Sequence, residues 1–283
     1  MSTTVHGSPA GRPFDDHDLE GPGSLPRRVG WQIRDTWTVT KRNLRHFVRQ
    51  RRLLVFSTIQ PVMFVVLFAF VFGGIATAAL PGDLTYIDFL LPGIFVQSAA
   101  FRSTQTAVGL AEDLERGVVD RFRSMPMSRS AVLAGRTLAD LVRSLAVIVL
   151  MIVAGYLIGF RFTQGVFAAI GAVLVVGLFG YLMSWLFCLL ALYVPGAEAA
   201  QTAGFVVVFP LVFISSIFVP VETMPGWLAA VAGASPLTHA ADSARALSIG
   251  GPVLRPTLLT VAWSIGLLSV VIPLSVRRYR SFS

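Results

Sequence analysis

Six stretches of this sequence are each long and apolar enough to cross a lipid bilayer as a helix. A bilayer core about 30 Å thick needs about 20 apolar residues in helical form. Because lipid offers no hydrogen-bond partner to a backbone amide, each stretch must pair its own amides as a helix. We therefore predict an all-α integral membrane protein with a transmembrane domain at 53–276, whose six helices lie at 53–79, 89–111, 141–160, 165–193, 202–218 and 257–276.

The composition argues against an ordinary soluble protein. Of the 283 residues, 54% are hydrophobic and 13% are charged, whereas soluble domains carry about 25% charged residues. The net charge of +8 is compatible with binding to nucleic acid or to a membrane surface. Since the arginines flank the apolar stretches, we assign the charge to the membrane surface and expect no nucleic-acid partner.

The basic residues also predict the orientation of the chain, because cytoplasmic loops of membrane proteins are enriched in Lys and Arg. With the N-terminus in the cytoplasm, 18 of the 23 Lys and Arg residues fall on the cytoplasmic side and only three fall outside. The cytoplasmic ones lie in 1–52, 112–140 and the C-terminal tail 277–283. We therefore predict a multi-pass protein with both termini in the cytoplasm.

Two segments of different character precede the first predicted span. Residues 1–30 are rich in Gly, Pro, Ser and acidic residues without periodicity, which predicts a disordered cytoplasmic tail. In 31–52, apolar side chains such as Trp37 and Leu44 fall on a different side of a helix from basic ones such as Arg45. This pattern predicts an amphipathic helix in the membrane interface; a helix packed on a soluble partner is the alternative.

A further segment, 219–251, lies between the last two predicted spans. Its apolar part is too short to cross a membrane, and Pro220, Pro225 and Pro236 interrupt it. Proline removes a backbone donor and clashes with the preceding helical turn. We predict an outer re-entrant helical hairpin, whose exposed backbone must be covered by protein or water.

Residues suited to catalysis or metal binding are few and scattered. Cys188 is the single cysteine and the four histidines have no ligand spacing, so we predict neither an intrachain disulfide nor a metal site. The only lysine, Lys41, does not follow the glycine-rich loop of an ATP-binding P-loop. We predict no catalytic residue, no bound cofactor and no enzyme activity in this chain, so energy for any transport would come from a separate subunit.

The charged insert 112–140 and one internal arginine are the candidate functional features. Gly117 permits a tight turn after the acidic start of the insert, and a helix with charges of both signs can dock on a complementary partner. A solvated loop that only enforces topology is the alternative. Arg102 lies inside a predicted span with no obvious carboxylate at its depth. We expect it to line a translocation path or a subunit interface, or else to reach polar groups near the membrane edge.

Several segments together resemble the membrane subunits of type-2 ABC exporters. An acidic-Arg-Gly turn at 112–117, a Met-Pro-Met-Ser step at 125–128, an outer loop at 218–228 and a Ser-Pro-Leu-Thr-His segment at 235–239 follow one another in the order typical of that family. Within the family, the resemblance is greatest to the permeases of daunorubicin/doxorubicin resistance exporters of actinomycetes. Val118-Val119-Asp120 and Met125 depart from the usual residues without changing the polarity pattern.

The resemblance implies a function and a set of partners. This chain would be the permease of an ATP-driven exporter in the bacterial plasma membrane, expelling an amphipathic drug such as an anthracycline and giving self-resistance. It would work with a second copy of the membrane subunit, membrane lipid and a cognate ATP-binding subunit that holds ATP and magnesium. The ATPase-coupling residues implied are Glu112, Glu115, Arg116, Gly117, Asp120, Arg121 and Pro126.

Two alternatives remain open from the sequence. The same fold could export a lipid or a lipid-linked glycan. From another class, the chain could be a non-transporting membrane anchor that recruits a soluble partner, in which case the insert would matter and Arg102 would not.

Overall fold

A computed structural model describes residues 59–68, 70, 71, 73, 84–117 and 129–281 of the chain. The predicted tail 1–30, the predicted interfacial helix 31–52 and part of the first predicted span lie outside these residues. The described residues form helices and their connections, with no strand among them. In chain order these are α1 (Ile59–Phe68), α2 (Tyr86–Glu115), α3 (Arg129–Ile158), α4 (Gly165–Ala191), α5 (Ala197–Phe213), a 3-10 turn (Val221–Thr223), α6 (Gly226–Ala234), α7 (Pro236–Ile249) and α8 (Leu254–Ser281).

Three of the described helices are long and apolar enough to cross a membrane. They are Leu133–Ile158 within α3, the whole of α4, and Leu254–Tyr279 within α8. The helix α5 is apolar but has only 17 residues. These helices support an integral membrane protein of the predicted all-α class, while the count of six spans stays a prediction.

The second predicted span, 89–111, lies within α2, a helix most of whose residues are buried. It packs against α3, α4, α5 and α7, and polar residues such as Gln97, Ser103 and Thr106 are buried along it. Because these side chains face neighbouring helices instead of lipid, α2 can carry more polar groups than a lipid-facing span can. Ser103 satisfies its hydroxyl on the carbonyl of Ala99 one turn earlier, at 2.9 Å.

Several predicted boundaries need correction. The third span was placed at 141–160, but α3 already begins at Arg129, so the end of the charged insert is the first part of that helix. The fifth span was placed at 202–218, but α5 covers Ala197–Phe213 and the chain leaves the helix at Ile214. Pro210, inside α5, removes one helical amide near this end.

The connections between helices gather at two ends of the bundle. At one end, Glu115 bonds to Ala197. At the other end, the Tyr86 hydroxyl donates to the Phe218 carbonyl at 3.1 Å, and Thr163 N–H donates to the Ser248 carbonyl at 3.0 Å. We call these the Glu115 end and the Phe218 end. The predicted topology requires the connections to lie at two opposite ends in this way, and it places the Glu115 end in the cytoplasm. The side of the membrane that each end faces stays a prediction.

At the Phe218 end, the predicted hairpin consists of two short helices, α6 and α7. Pro225 precedes α6, and Pro236 occupies the first turn of α7, where its missing N–H costs nothing. Ser235 joins the two helices and accepts a hydrogen bond from Leu237 N–H through its hydroxyl at 3.3 Å. Proline thus starts each helix here, and whether the hairpin enters the membrane stays a prediction.

Candidate functional site

The acidic turn, which we define as 112–117, ends α2 at the Glu115 end of the bundle. Arg116 N–H donates to the Glu112 carbonyl at 3.0 Å, and Gly117 N–H donates to the Leu114 carbonyl at 3.2 Å. Gly117 has φ +64, in the left-handed region that residues with a Cβ seldom adopt. This geometry ends the helix at the acidic turn.

The acidic side chains of this turn have different partners. Glu112 forms an exposed ion pair with Arg116 at 3.4 Å. Asp113 is paired with Arg136 and so connects α2 to α3. Glu115 is exposed, but its Oε1 accepts a hydrogen bond from the Ala197 N–H at the start of α5, at 3.3 Å.

Among the predicted coupling residues, the structure therefore brings Glu112, Glu115, Arg116 and Gly117 into one turn. Asp120, Arg121 and Pro126 lie outside the described residues. The coupling role of all seven stays a prediction. The contact between Glu115 and α5 is an interaction that the sequence reasoning missed, because the two residues are 82 positions apart and no local pattern connects them.

A second group of charges lies inside the bundle between α2 and α3. Asp140 is buried, accepts a hydrogen bond from the Thr106 hydroxyl at 2.7 Å and forms an ion pair with Arg143 at 3.0 Å. Arg102 precedes Thr106 by one turn of α2 and therefore lies on the face of that helix that contacts Asp140. We refer to Arg102, Thr106, Asp140 and Arg143 as the internal charge cluster.

The internal charge cluster corrects the expectation that Arg102 has no carboxylate at its depth. The sequence analysis includes Asp140 in the cytoplasmic insert 112–140, whereas the structure buries it against Thr106 of α2. The signal that could have located it is the spacing of Asp140 and Arg143, three residues apart on α3 and therefore on one helix face. The Arg102 Nε is buried and has no hydrogen-bond partner among the described residues.

At the Phe218 end, Arg245 of α7 forms a dense set of contacts. Its guanidinium donates to the carbonyls of Phe89 at 2.7 Å, Ser216 at 2.5 Å and Ile217 at 3.1 Å. It also pairs with Asp242 at 2.7 Å and lies 3.7 Å from the centre of the Phe89 ring. Burial lowers the pKa of Arg245 to about 10, against the raising effect of Asp242, so the side chain is charged at neutral pH.

These contacts make Arg245 the point where three segments meet: the start of α2, the chain after α5, and α7. The sequence analysis predicts no role for Arg245. Its main acceptors are backbone carbonyls. Because every residue has a backbone carbonyl, the sequence does not indicate which of them Arg245 contacts.

A cleft of about 720 Å³ opens beside this arginine. Its wall combines apolar side chains such as Phe89 and Leu259 with the charged or polar Glu222, His239 and Arg255. Clefts of about 300–1,000 Å³ are the usual size for small-molecule sites. Among the described residues, no group of three or more His, Cys, Asp or Glu side chains could hold a metal ion.

Comparison with known proteins relates these features to a family. The profile of the ABC-2 type transporter family matches residues 34–248. The chain is 36% identical over 237 residues to the daunorubicin resistance ABC transporter permease protein DrrB1 of Streptomyces coeruleorubidus, covering 84% of this chain and 82% of the relative. It is 27% identical over 251 residues to the probable doxorubicin resistance ABC transporter permease protein DrrC of Mycobacterium tuberculosis, covering 86% and 88%. A putative transport permease, ycf38 of Cyanophora paradoxa, is 24% identical over 220 residues, covering 76% and 74%.

Proposed function

The chain belongs to the ABC-2 type transporter family, and from that membership we propose that it is the permease subunit of an ATP-driven exporter of amphipathic drugs, anthracyclines among them. The observation that carries the proposal is the 36% identity to a daunorubicin resistance permease over 84% of this chain. Permeases of this family are not enzymes themselves, and the family implies an ATP-binding partner subunit and a pair of membrane subunits. ATP and magnesium would bind the partner.

We assign the contact with the ATP-binding subunit to the acidic turn and the residues that follow it. Glu112 and Arg116 are exposed, and charges of both signs at an exposed turn can select a complementary surface and fix its register. Asp120, Arg121 and Pro126 continue the same segment in sequence. This assignment places the Glu115 end in the cytoplasm of a bacterial cell and the cleft beside Arg245 on the outer side.

The internal charge cluster is the second part of the proposal. A charge inside a membrane bundle costs free energy unless it faces a partner, water or a functional path. We assign Arg102 to the path or to the interface between membrane subunits, with Asp140 as its counter-charge. The relatives do not favour the glycan exporter or the anchor hypothesis.

The function is tested by reconstitution. The chain, co-expressed with its ATP-binding subunit, should confer daunorubicin resistance on a sensitive bacterium. In liposomes, the purified complex should hydrolyse ATP faster when daunorubicin is added. The control is the same complex with its P-loop lysine replaced, and the permease alone should show no hydrolysis because it has no P-loop. If a lipid-linked glycan but not the drug stimulates ATP hydrolysis by the intact complex, the glycan exporter replaces the proposal. If neither compound stimulates ATP hydrolysis, the anchor hypothesis is favoured.

The orientation needs its own test. In a Cys188→Ser background, Gly226→Cys should react with a membrane-impermeant thiol reagent in intact cells, whereas Ser128→Cys and Ser283→Cys should react only after lysis. Reaction of Ser128→Cys in intact cells would reverse the proposed topology.

A further inference from the structure

We infer that Glu115 is a positioning residue that transmits movement of the acidic turn to α5, and through α5 to the hairpin at the Phe218 end. The inference rests on the proposed function and deepens it, since it separates two roles within one turn. Glu112 and Arg116 face outward for a partner subunit, whereas Glu115 holds a helix of its own chain.

The contact lies at the start of α5, where helical N–H groups have no partner within the helix. The residue before the helix is Gly196, which has no side chain to accept these hydrogen bonds. Glu115 supplies the missing acceptor, since its Oε1 accepts from Ala197 N–H at 3.3 Å. A carboxylate at this place also interacts favourably with the positive end of the helix dipole. Glu115 thus replaces a local helix cap with one that comes from α2.

The backbone at Gly196 is shaped for this approach. Its φ is +82, and a Cβ built on it would lie 2.6 Å from Glu115 Oε1. Any other residue would therefore strain the backbone and displace the carboxylate. The close approach of Glu115 requires glycine at this position. Substitution of Gly196 is therefore a second and independent way to disturb the same contact.

The helix α5 can carry a displacement along its length. It has 17 residues and so spans about 25 Å. Along α2 it packs Gly204 against Thr104, and Phe205 against Phe101 with ring centres 5.8 Å apart. Just beyond its other end, the Ser216 and Ile217 carbonyls accept from Arg245 of α7. α5 is therefore held by Glu115 at one end and, through this short extension, by Arg245 at the other.

The other acidic groups of the turn do not reach α5. Glu112 pairs with Arg116 and Asp113 pairs with Arg136. Movement of the acidic turn by an ATP-binding subunit would thus reach the start of α5 through Glu115, in addition to the packing of α5 along α2. A matched control exists in Glu198, which is an exposed acidic residue in the first turn of the same helix. Its removal takes the same charge from the same helix terminus without touching the Glu115 contact.

The experiment uses the full complex with its ATP-binding subunit in liposomes and measures daunorubicin transported per ATP hydrolysed. Glu115→Ala, Glu115→Asp and Gly196→Ala should each lower this ratio about 2- to 30-fold, the equilibrium shift expected for the loss of a helix cap. The ATP-binding subunit should co-purify with these variants as it does with the wild type. Glu115→Asp keeps the charge and shortens the side chain, so it serves if Glu115→Ala fails to fold. Glu198→Ala should keep the wild-type ratio within about twofold, since an exposed charge near a helix end contributes little.

Several results would overturn the inference. A wild-type ratio of drug transported to ATP hydrolysed in the Glu115 and Gly196 variants would show that Glu115 is an ordinary surface carboxylate. Loss of the ATP-binding subunit in the Glu115 variants, with a normal ratio in the complex that remains, would make Glu115 a direct partner contact. An equal defect in Glu198→Ala would show that only the charge of the helix end matters.

A second readout separates this inference from the proposed drug. Val219, just after α5 at the Phe218 end, is 42% exposed. In a Cys188→Ser background, the thiol labelling rate of Val219→Cys should change when the ATP-binding subunit is trapped with a nucleotide analogue. That change should be lost in Glu115→Asp and kept in Glu198→Ala, whichever compound is exported. If the wild type shows the change but moves no daunorubicin, the substrate proposal fails and the inference stands; a change retained in Glu115→Asp refutes the inference.

Discussion

Arg245 and Arg102 are two arginines inside the same helical bundle, and their surroundings differ sharply. Arg245 donates to three backbone carbonyls and a carboxylate and lies against the Phe89 ring. Arg102 lies on the face of α2 that contacts Asp140 through Thr106, and Asp140 is itself paired with Arg143. The Arg102 Nε has no hydrogen-bond partner among the described residues. One guanidinium has nearly all its donors matched, and the other lies in a cluster with more positive than negative charge.

The difference indicates what each residue contributes. A buried charge whose donors are all paired fixes the segments around it, and removal of either partner is costly. A buried charge that is only partly paired costs stability, and such residues are found where function requires them. We therefore expect variants of Arg245 to act mainly on folding, and variants in the internal charge cluster to act mainly on transport.

The largest expected effect is the loss of folded protein in Arg245→Met. The substitution keeps most of the side-chain volume but leaves three carbonyls without their charged donor, while Asp242 keeps only the Ser216 hydroxyl as a donor among the described residues. Loss of the charged donor costs about 1–3 kcal/mol for each buried carbonyl left unpaired, and the pair with Asp242, whose side chain is 40% exposed, adds less than a fully buried pair would. Thermal unfolding in detergent, followed by size-exclusion chromatography, should show a clearly lower midpoint. Arg255→Met, an exposed arginine on the same cleft, should unfold like the wild type; equal midpoints for both variants would contradict the comparison.

A smaller loss is expected for Gly93→Ala, which tests how closely the segments meet at Arg245. A Cβ at Gly93 would lie 2.7 Å from the Ile217 carbonyl oxygen and 3.1 Å from Arg245 Nη2. Because a backbone carbonyl cannot move aside as the end of a flexible side chain can, the overpacking should lower the free energy of unfolding by about 1–3 kcal/mol. Gly266→Ala in α8, where no atom lies within 4 Å of the new Cβ, is the matched control and should be neutral or stabilising. A lower midpoint in the control alone would refute the geometry.

Sequence reasoning located the apolar helices well and the polar contacts poorly. The predicted span 165–193 nearly coincides with α4 and the predicted span 257–276 lies within α8, because apolar composition over about 20 residues is a direct consequence of crossing a bilayer. The start of α3 was misplaced because a helix can continue beyond the apolar region as a polar helix. A hydropathy pattern reports the lipid boundary and not the helix boundary.

The candidate site was harder to predict for a related reason. Charge was used to mark residues outside the membrane, and this assigned Asp140 to the insert although it pairs with α2 inside the bundle. A polar side chain between helices is stabilised by pairing with polar groups on neighbouring helices. Which groups are neighbours depends on the tertiary packing. The contacts of Arg245 and Glu115 involve backbone groups of distant segments, and backbone atoms are the same in every sequence. The acidic turn was predictable because its signal, acidic residues followed by Gly117, is local.

Within the internal charge cluster, Asp140→Asn should have the larger effect. It keeps the shape of the side chain but removes the negative charge that Arg102 and Arg143 share. We expect a destabilisation of about 1–2 kcal/mol, below the full value for a charged hydrogen bond because Arg143 is partly exposed. Drug resistance should fall at matched membrane abundance. The double variant Asp140→Asn/Arg143→Gln restores the charge balance and should recover part of the resistance; no recovery would show that Asp140 acts other than as a counter-charge.

The smallest effect on stability, and the sharpest test of the comparison, is expected for Arg102→Ala. Asp140 keeps Arg143 and Thr106 as partners in this variant, and one of two like charges is removed. Replacing a buried charge can therefore leave stability nearly unchanged, within about 1 kcal/mol. If Arg102 serves transport, daunorubicin resistance should nonetheless fall at wild-type membrane abundance. Arg102→Lys should retain part of the resistance, since lysine keeps the charge but lacks the planar set of donors. Full resistance in Arg102→Ala at matched abundance would remove Arg102 from the functional residues. A loss of stability as large as that of Arg245→Met would show that both arginines stabilise the fold to the same extent.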